Sequence, residues 1–480
     1  MRDLTPQEMD TFEKSLSFPS GRKYVISKTA TDHPENWQGV ETPYDICREM
    51  VDVVPSDTDG WIVFFAMEFL EVLVKEREVL PEAIMFIADN ELEVDIASHP
   101  QMYGVESVLF PKQDVNAETI KNIIGETNMK FKKLAVIGNP PYQEEDGGHS
   151  RSAKPLYHKF IEAIIDGLNP DYFTFIVPSR WMVGGKGLDR FRDRMMHDRR
   201  MKKIVHFPGD QEVFPTVYIK GGVNYFLWQK DHNGKCEFVV DNTVSERFLD
   251  DEDIILQDNN AAGILAKVKS VSSDWVSELC YAQKPFGLRS NFSDFLGDDA
   301  NGSTGAIGPK EVEVTNNGAT GATDTISGHG TEGATGCMCK GHEKKFVASD
   351  IFSDKHNIFK KWKVCMSRAI NLEDGVVAKS MVASIFVLEP NTICTETYIV
   401  VADFDNKSEA DHFSSYMQTK FFRYMLGLRV TTQDVNRDKF SFVPDVLDYT
   451  CPWTDAELYK KYKLTRQEIA YIESKIKELK

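Results

Sequence analysis

An α/β fold is what the first half of this sequence predicts: a largely parallel sheet with helices on both faces, followed by a second region of mixed α+β character. Six short apolar runs carry the first part of that expectation, at 62–65, 84–88, 134–138, 173–177, 204–207 and 225–228. Each run is near-continuous rather than alternating, the pattern of strands buried on both faces. Amphipathic stretches stand between several of them, as in Phe69-Leu70-Leu73-Val74 and Leu156-Phe160-Ile161-Ile164-Ile165. Strand and helix alternating in this way build parallel sheets. Length is the third observation. At 480 residues the chain is about three times a modal domain, so two packed domains are expected, with a boundary between about 235 and 285.

Composition narrows the field. A hydrophobic content of 41% is enough for a sizeable core and excludes a wholly disordered chain. The formal net charge of −18 means that any nucleic-acid partner must be met by a local basic face. No run of about 18 apolar residues is present, so no membrane span is expected. The N-terminal MRDLTPQEMD lacks the apolar stretch of a signal peptide. Eight cysteines, mostly scattered through apolar segments, read as reduced thiols of a cytoplasmic protein.

Element by element, Thr5, Pro6 and Glu8 carry the signals of a capped helix start. The same grammar recurs at Thr42-Pro43-Tyr44-Asp45, with Ile46, Met50, Val51 and Val54 following at helical spacing. In the second half, residues 301–342 hold 10 glycines and predict a flexible, exposed tract interrupted by one short strand at 312–314. Strand-like runs follow at 384–388 and 398–401, then a helix near 413–426 rich in large apolar groups. Two capping boxes, Thr454 with Glu457 and Thr465 with Glu468, begin the last two helices. Leu464 is placed to staple onto Ile469, and Ile469, Ile472, Ile476 and Leu479 form a face that predicts docking.

The stretch that carries chemistry is 134–142, Leu-Ala-Val-Ile-Gly-Asn-Pro-Pro-Tyr. A buried strand delivers Asn139, Pro140, Pro141 and Tyr142 to its carboxyl end, where open α/β sheets place their ligands. Two prolines remove two N–H donors, so the turn presents carbonyl acceptors without competing donors. The Asn139 amide oxygen adds an acceptor, and Tyr142 adds a flat aromatic face. Such a site suits a planar molecule bearing an –NH2 group. Holding both N–H bonds on oxygen pushes density back onto the nitrogen and makes it a better nucleophile.

Asn-Pro-Pro-Tyr after an apolar strand resembles the catalytic motif of the adenine-N6 DNA methyltransferases, as found in the methylase and target-recognition regions of type II restriction-modification enzymes. Further segments agree. The Thr42-Pro43 helix start is similar to the family's most N-terminal cofactor motif. Residues 175–181 followed by 184–187 look like its later strand and substrate-facing loop, and 213–215 resemble the motif whose ring, here Phe214, packs on the target base. Residues 284–287, Thr397-Tyr398 and Leu458-Tyr459 look like the family's C-terminal region.

The resemblance implies a Rossmann-like methyltransferase sheet over 36–260 and a DNA target-recognition domain over 280–480. It also implies S-adenosyl-L-methionine as cofactor, with no metal, and double-stranded DNA as substrate. Asn139 and the Pro140 carbonyl would hold the amino group of an adenine rotated out of the duplex, between Tyr142 and Phe214. Thr42, Pro43, Glu68, Asp89 and Asp114 are the cofactor-binding candidates: Glu68 for the methionine amino group, Asp89 for the ribose, Asp114 for the cofactor's adenine. One departure stands out, since 61–68 contains no Gly-x-Gly where the family carries a glycine-rich loop.

Two tracts offer basic faces. Residues 186–203 hold eight Lys/Arg against three Asp, beginning at Lys186. Residues 355–368 hold Lys355, Lys360, Lys361, Lys363 and Arg368 with no acid, interleaved with Phe359 and Trp362. Either is a place where a phosphate backbone is tolerated, or a solvated face. Cys337, Cys339 and His342 read as zinc ligands or as a loop thiol cluster without a metal; the spacing favours the latter. Alternatives to an active methylase of this kind are a catalytically impaired DNA-binding homologue, the methylase part of a bifunctional restriction enzyme, and a protein glutamine methyltransferase. The chain is expected to act as a monomer, with a separate restriction endonuclease as a candidate partner.

Overall fold

In a computed structural model of the chain, the described residues are 42–110, 115–125, 131–144, 154–209, 213–214, 219, 221–281, 283–296, 334–369, 372–373, 376–377, 384–430 and 434–477. The expected helix start at Thr5, the strand at 312–314, most of the glycine tract, Asp114 and Leu479 lie outside them. The chain divides into two compact units, Met1–Asn259 and Asn260–Lys480.

All six predicted strands of the first unit form, and they join one nine-stranded sheet. The strands are β1 (Gly60–Phe64), β2 (Ile84–Ala88), β3 (Glu106–Leu109), β4 (Leu134–Gly138), β5 (Tyr172–Pro178), β6 (Met201–Phe207), β7 (Val223–Gln229), β8 (Cys236–Val240) and β9 (Thr243–Arg247). Their order is β3-β2-β1-β4-β5-β7-β6-β8-β9. The first five positions are parallel throughout, and β7 runs antiparallel to both β5 and β6. This is a Rossmann-like sheet whose strand order reverses between β1 and β4, the place where such sheets bind ligands.

Helices α1 (Tyr44–Asp52), α2 (Glu91–Ser98), α3 (Ala117–Gly125), α4 (Tyr157–Gly167) and α5 (Asp189–His197) accompany the strands. Ile46, Met50, Phe69, Leu73 and Ile96 pack with Trp61, Val63, Ile84, Phe86 and Ile137 in one cluster. The alternate strand residues Ile62, Phe64, Met85, Ile87 and Val136 are buried as well. Burial on both faces is why these strands read as unbroken apolar runs. Three strands went unpredicted. β3 is an edge strand with two exposed residues and no apolar run. β8 and β9 form a hairpin whose Asp241-Asn242 turn has φ of 48° and 58°, a two-residue turn signal that was legible.

In the second unit, β10 (Ala334–Cys339) pairs with β11 (Glu343–Ala348) and, in parallel, with β16 (Thr392–Cys394). β12 (Trp362–Ser367) lies between β15 (Phe386–Leu388) and β17 (Tyr398–Phe404), antiparallel to both, and β13 (Leu372–Glu373) pairs with β14 (Val376–Val377). The end of the expected glycine loop, 334–342, is therefore ordered strand and turn rather than exposed loop. Gly336 is small enough to lie close to Thr392 and Lys344, which lets β16 approach β10. Cys337, Cys339, Cys365 and Cys394 all lie in this core. Among the described residues no group of three or more His, Cys, Asp and Glu is placed to hold a metal.

The helix expected near 413–426 is two helices, α7 (Lys407–Gln418) and α8 (Lys420–Gly427), after α6 (Ala261–Val271). Thr419 separates them: its ψ of 151° ends the first, and its hydroxyl accepts from the Phe422 N–H to cap the second. Both predicted capping boxes form, opening α9 (Asp455–Lys461) and α10 (Arg466–Lys475). Ile472 and Ile476 are buried, and Ile469 partly so. No helix among the described residues is long and apolar enough to cross a membrane.

Candidate active site

The Asn139–Tyr142 turn leaves β4 directly at the point where the strand order reverses. Its position depends on Gly138, which faces Phe64 across the β1–β4 pair. A Cβ at Gly138 would sit 2.4 Å from the Phe64 carbonyl oxygen and 2.8 Å from the Phe64 Cβ. Only glycine permits that approach, which lets the Asn139 N–H donate to the same carbonyl at 3.2 Å. The Asn139 amide then donates from Nδ2 to Thr42 Oγ1 at 3.0 Å, so Oδ1 is the end turned away from Thr42. Asn139, Pro140 and Pro141 are all buried.

Thr42 thus does something other than the expected capping. Pro43 is the N-cap of α1 and no side chain caps it. The Thr42 hydroxyl is committed to Asn139, 97 residues away, and the residue is 1% exposed. A separation of that kind leaves no trace in sequence pattern.

Tyr142 and Phe214 come together, but not as two parallel plates. Their ring centroids are 6.4 Å apart with planes inclined at 70°, and Phe214 is buried in the core of the first unit. A base between parallel rings needs about 7 Å of plane separation, twice a carbon contact distance. Stacking therefore requires Phe214 to turn from its edge-on position. Burial pushes the Tyr142 phenol well above its ordinary pKa, offset in part by the neighbouring Asn139 amide. Its hydroxyl oxygen is buried without a well-formed hydrogen bond among the described residues.

Further side chains gather here to which the sequence reading assigned no individual role. The Leu156 N–H donates to the Tyr142 carbonyl at 3.0 Å, which brings Tyr157 and the start of α4 to the turn. The Tyr157 hydroxyl is likewise buried without a well-formed hydrogen bond among the described residues; burial raises its pKa, offset in part by the Arg180 charge and the Trp181 backbone N–H. Arg180, in the turn that follows β5, has a buried Nε without a hydrogen bond among the described residues, and burial lowers its pKa. Beneath it, Ser179 Oγ lies 2.9 Å from His206 Nδ1 and 3.2 Å from Asn224 Oδ1, and Trp181 Nε1 donates to Asn224 Oδ1 at 3.1 Å. That buried network holds the 179–182 turn at the sheet's carboxyl edge.

The turn after β1 forms without glycine. Phe65 takes a left-handed conformation, φ 63°, which costs a non-glycine residue about 1–2 kcal/mol. Its ring is held edge-on by Phe64 at 5.6 Å, Phe110 at 5.5 Å and Phe160 at 5.3 Å. This aromatic packing offsets the strain that Gly-x-Gly would have avoided. Glu68 then opens the short helical turn Glu68–Leu70 at the carboxyl end of β1. Its charge adds to the burial that drives the Cys47 thiol pKa up. Asp89 ends β2 and accepts from Asn90 Nδ2 at 2.6 Å, while Asn90 Oδ1 caps α2 through the Glu93 N–H at 2.9 Å. Glu68, Asp89 and Asn139 accordingly follow three neighbouring strands at one edge.

The basic tracts are less basic in three dimensions than in one. Lys186 is exposed on a loop in which Gly184, Gly185, Lys186 and Gly187 all have positive φ, between 50° and 84°. Beyond it, Arg194 pairs with Asp166, Arg199 with Asp250, Arg200 with Asp198 and Lys203 with Glu237. In the second tract Lys355 and Lys360 are exposed. Lys361 is neutralised by Asp403 and Asp405, and Arg368 pairs with Asp434 at 2.9 Å. Lys363 is a correction. It is fully buried, and its ammonium donates to the carbonyls of Lys361 at 2.7 Å, Glu389 at 3.2 Å, Phe359 at 3.3 Å and Ile358 at 3.4 Å. It ties a loop to β12 and cannot reach a phosphate.

The proline-held, acceptor-rich turn and two carboxylates thus stand at the reversal point of a Rossmann-like sheet, the place where such sheets bind ligands. Comparison with known proteins makes the class more particular. Residues 87–214 match the family model described as the Eco57I restriction-modification methylase, so the resemblance read from the motifs holds over the segment from Asp89 to Phe214. A relative from Mycoplasma pneumoniae, described as an uncharacterised adenine-specific methylase, is 34% identical over 125 residues. The alignment covers 25% of this chain, which spans 29% of that relative's length.

Among solved structures, the type I restriction-modification methyltransferase subunit from Streptococcus thermophilus overlaps 47% of this chain and 53% of its own, at 12% identity and a TM-score of 0.33. A modification subunit of a putative type I restriction enzyme from Vibrio vulnificus overlaps 51% and 57%, at 16% identity and a TM-score of 0.31.

Proposed function

We infer that this chain transfers a methyl group from S-adenosyl-L-methionine to the N6 amino group of an adenine turned out of double-stranded DNA. The observation that carries the reading is the Asn139–Tyr142 turn: acceptors without donors, beside an aromatic ring, with the Asn139 amide oriented by Thr42. Asn139 Oδ1 and the Pro140 carbonyl accept the two N–H bonds of the adenine amino group. Held there, the nitrogen gains lone-pair density, and fixed dipoles of this kind supply much of an enzyme's rate enhancement. Tyr142 stacks on the base, and Phe214 closes on its other face after turning from its edge-on position.

The cofactor side fits the same edge. Acidic groups following neighbouring strands suit a ligand with a cationic amino group and ribose hydroxyls: Glu68 would hold the former and Asp89 the latter. When bound, S-adenosyl-L-methionine supplies an electrophilic methyl group on a sulfonium. The aromatic cluster around Phe65 keeps the turn between Glu68 and Asn139 in place. In the second unit, Lys355 and Lys360 are exposed lysines suited to contact with the phosphate backbone.

The test is methyl transfer by the purified chain. With methyl-labelled S-adenosyl-L-methionine and unmethylated duplex DNA, label is expected in N6-methyladenine. Asn139→Ala should lower the rate by about 10²–10³-fold while leaving DNA binding intact. Incorporation unchanged by that substitution would overturn the role given to Asn139.

A further inference from the structure

In the first unit a buried chain of hydrogen bonds has a direction that can be worked out atom by atom. Ser179, Trp181, His206 and Asn224 are all buried. A tryptophan ring nitrogen only donates, so the atom 3.1 Å from Trp181 Nε1 is the amide oxygen of Asn224. The Ser179 hydroxyl lies 3.2 Å from that same oxygen and donates to it. Ser179 Oγ is then left to accept from His206 Nδ1 at 2.9 Å. Val223 agrees, because its carbonyl only accepts and lies 3.3 Å from His206 Nδ1. One amide oxygen thus receives two side-chain donors from the turn that follows β5.

The turn's neighbours lead back to the Asn139 site. Asn224 stands opposite Val177 in the β5–β7 pair, and the Ser179 N–H donates to the Gly222 carbonyl at 2.9 Å. The Trp181 ring packs on Phe191 at 5.7 Å, and Phe191 packs on Tyr157 at 6.5 Å. Tyr157 follows Leu156, whose N–H donates to the Tyr142 carbonyl at 3.0 Å. Asn224 Nδ2 is buried without a hydrogen bond among the described residues. A buried amide with one end unmet costs stability that an apolar residue of the same shape would not. What Asn224 supplies in return is orientation, since its one oxygen fixes a hydroxyl and an indole N–H together.

We propose that Asn224 is a positioning residue for methyl transfer: it holds Ser179 and Trp181, and through Phe191 and Tyr157 it sets the ring of Tyr142 on which the base stacks. The inference rests on the methyltransferase reading and adds a residue to the same site. Asn224 touches neither base nor cofactor. It limits how far the wall of Trp181, Phe191 and Tyr157 can shift. A displaced Tyr142 carries the amino nitrogen out of line with the methyl group, and rate depends steeply on that alignment. Glu68 and Asp89, assigned to the cofactor, follow β1 and β2, on the other side of β4 from this turn. Loosening the turn therefore leaves cofactor binding in place.

The experiment compares the full chain with Ser179→Ala and Asn224→Leu. It uses methyl-labelled S-adenosyl-L-methionine and duplex DNA from a host without adenine methylation, and it reads kcat, KM for each substrate and the melting temperature. Ser179→Ala removes one hydroxyl and should lower kcat about fivefold, with KM for S-adenosyl-L-methionine unchanged. Asn224→Leu removes the shared acceptor and should lower kcat further, again without a change in that KM. If Asn224→Leu does not fold, Ser179→Ala decides. Wild-type kcat in Ser179→Ala overturns the proposal. So does a loss of kcat matched by an equal rise in KM for S-adenosyl-L-methionine, because the whole site would then have loosened. Either result leaves the methyltransferase reading standing. A wild-type chain that transfers no methyl group to DNA overturns that reading itself, and the role of Asn224 with it.

Discussion

Among the described residues, two groups of buried polar atoms without a well-formed hydrogen bond, one in each unit, have different surroundings. In the first, the Tyr142 hydroxyl, the Tyr157 hydroxyl and Arg180 Nε sit around turns that leave the carboxyl ends of β4 and β5. There the groups assigned to chemistry include a main-chain carbonyl, set by strand pairing and by proline. In the second, Arg368 lies on one segment and Asn436 and Ser441 on another, the two joined by a short backbone bridge. A site made of backbone tolerates exchange of its neighbours but not displacement of its strand. A group of side chains can change without disturbing its frame.

The sharpest way to break that contrast is to displace the strand. Gly138→Ala puts a methyl group against the Phe64 carbonyl at 2.4 Å, so β1 and β4 must part or the turn must shift. Methyl transfer is expected to fall about 10²-fold, the usual consequence of misplacing a reacting group by about 1 Å. The melting temperature should drop as well. Wild-type rates in Gly138→Ala would show that the site does not depend on this close approach.

A smaller effect is expected where a side chain positions the backbone-borne site. Thr42→Val removes the acceptor for Asn139 Nδ2 while keeping the shape. A hydrogen bond worth about 1 kcal/mol corresponds to a loss of five- to tenfold in kcat, with little change in KM for DNA. Thr42→Ser should restore most of the rate. Equal loss in both variants would assign Thr42 a packing role.

The smallest effects concern frame stability and fall at opposite ends of the pH scale. In the first unit, burial lowers the pKa of His206 to about 4 from 6.5. The unfolded chain therefore binds the extra proton between those values, and stability is lost as pH falls through that window. In the second unit, burial lowers Lys363 to about 8 from 10.5. Between those values the unfolded chain again holds the extra proton, so stability rises with pH there, by at most about 1.4 kcal/mol per pH unit. Melting curves against pH should lose the acid-side slope in His206→Gln and the alkaline-side slope in Lys363→Met. Slopes identical to wild type would mean that neither proton is linked to folding.

Much of the first unit could be read in advance because its signals are local. A strand buried on both faces is apolar at every position, whatever lies beside it, and each of the six runs became a strand. The two capping boxes near the C-terminus and the Asn139–Tyr142 turn are likewise local, since a cap or a proline turn is decided within four residues. Where the pattern was weak, as in β3 with its exposed edge, reading failed. The glycine-poor turn after β1 could be noticed, but not that Phe65 would adopt the left-handed conformation inside a cage of three other rings.

Charge was the least legible property. Residues 355–368 contain no acid, yet Asp403, Asp405 and Asp434 arrive from later segments to pair with Lys361 and Arg368. Lys363 disappears into a ring of carbonyls, and Thr42 reaches Asn139 across 97 residues. Strand, cap and turn are settled by neighbours along the chain, and so the amino-acid order alone was enough for six of the sheet's nine strands and for the turn that leaves β4. Burial, ion pairing and the orientation of an amide depend on which distant segments meet, and those came only with folding, because electrostatics and desolvation act through space rather than along the backbone.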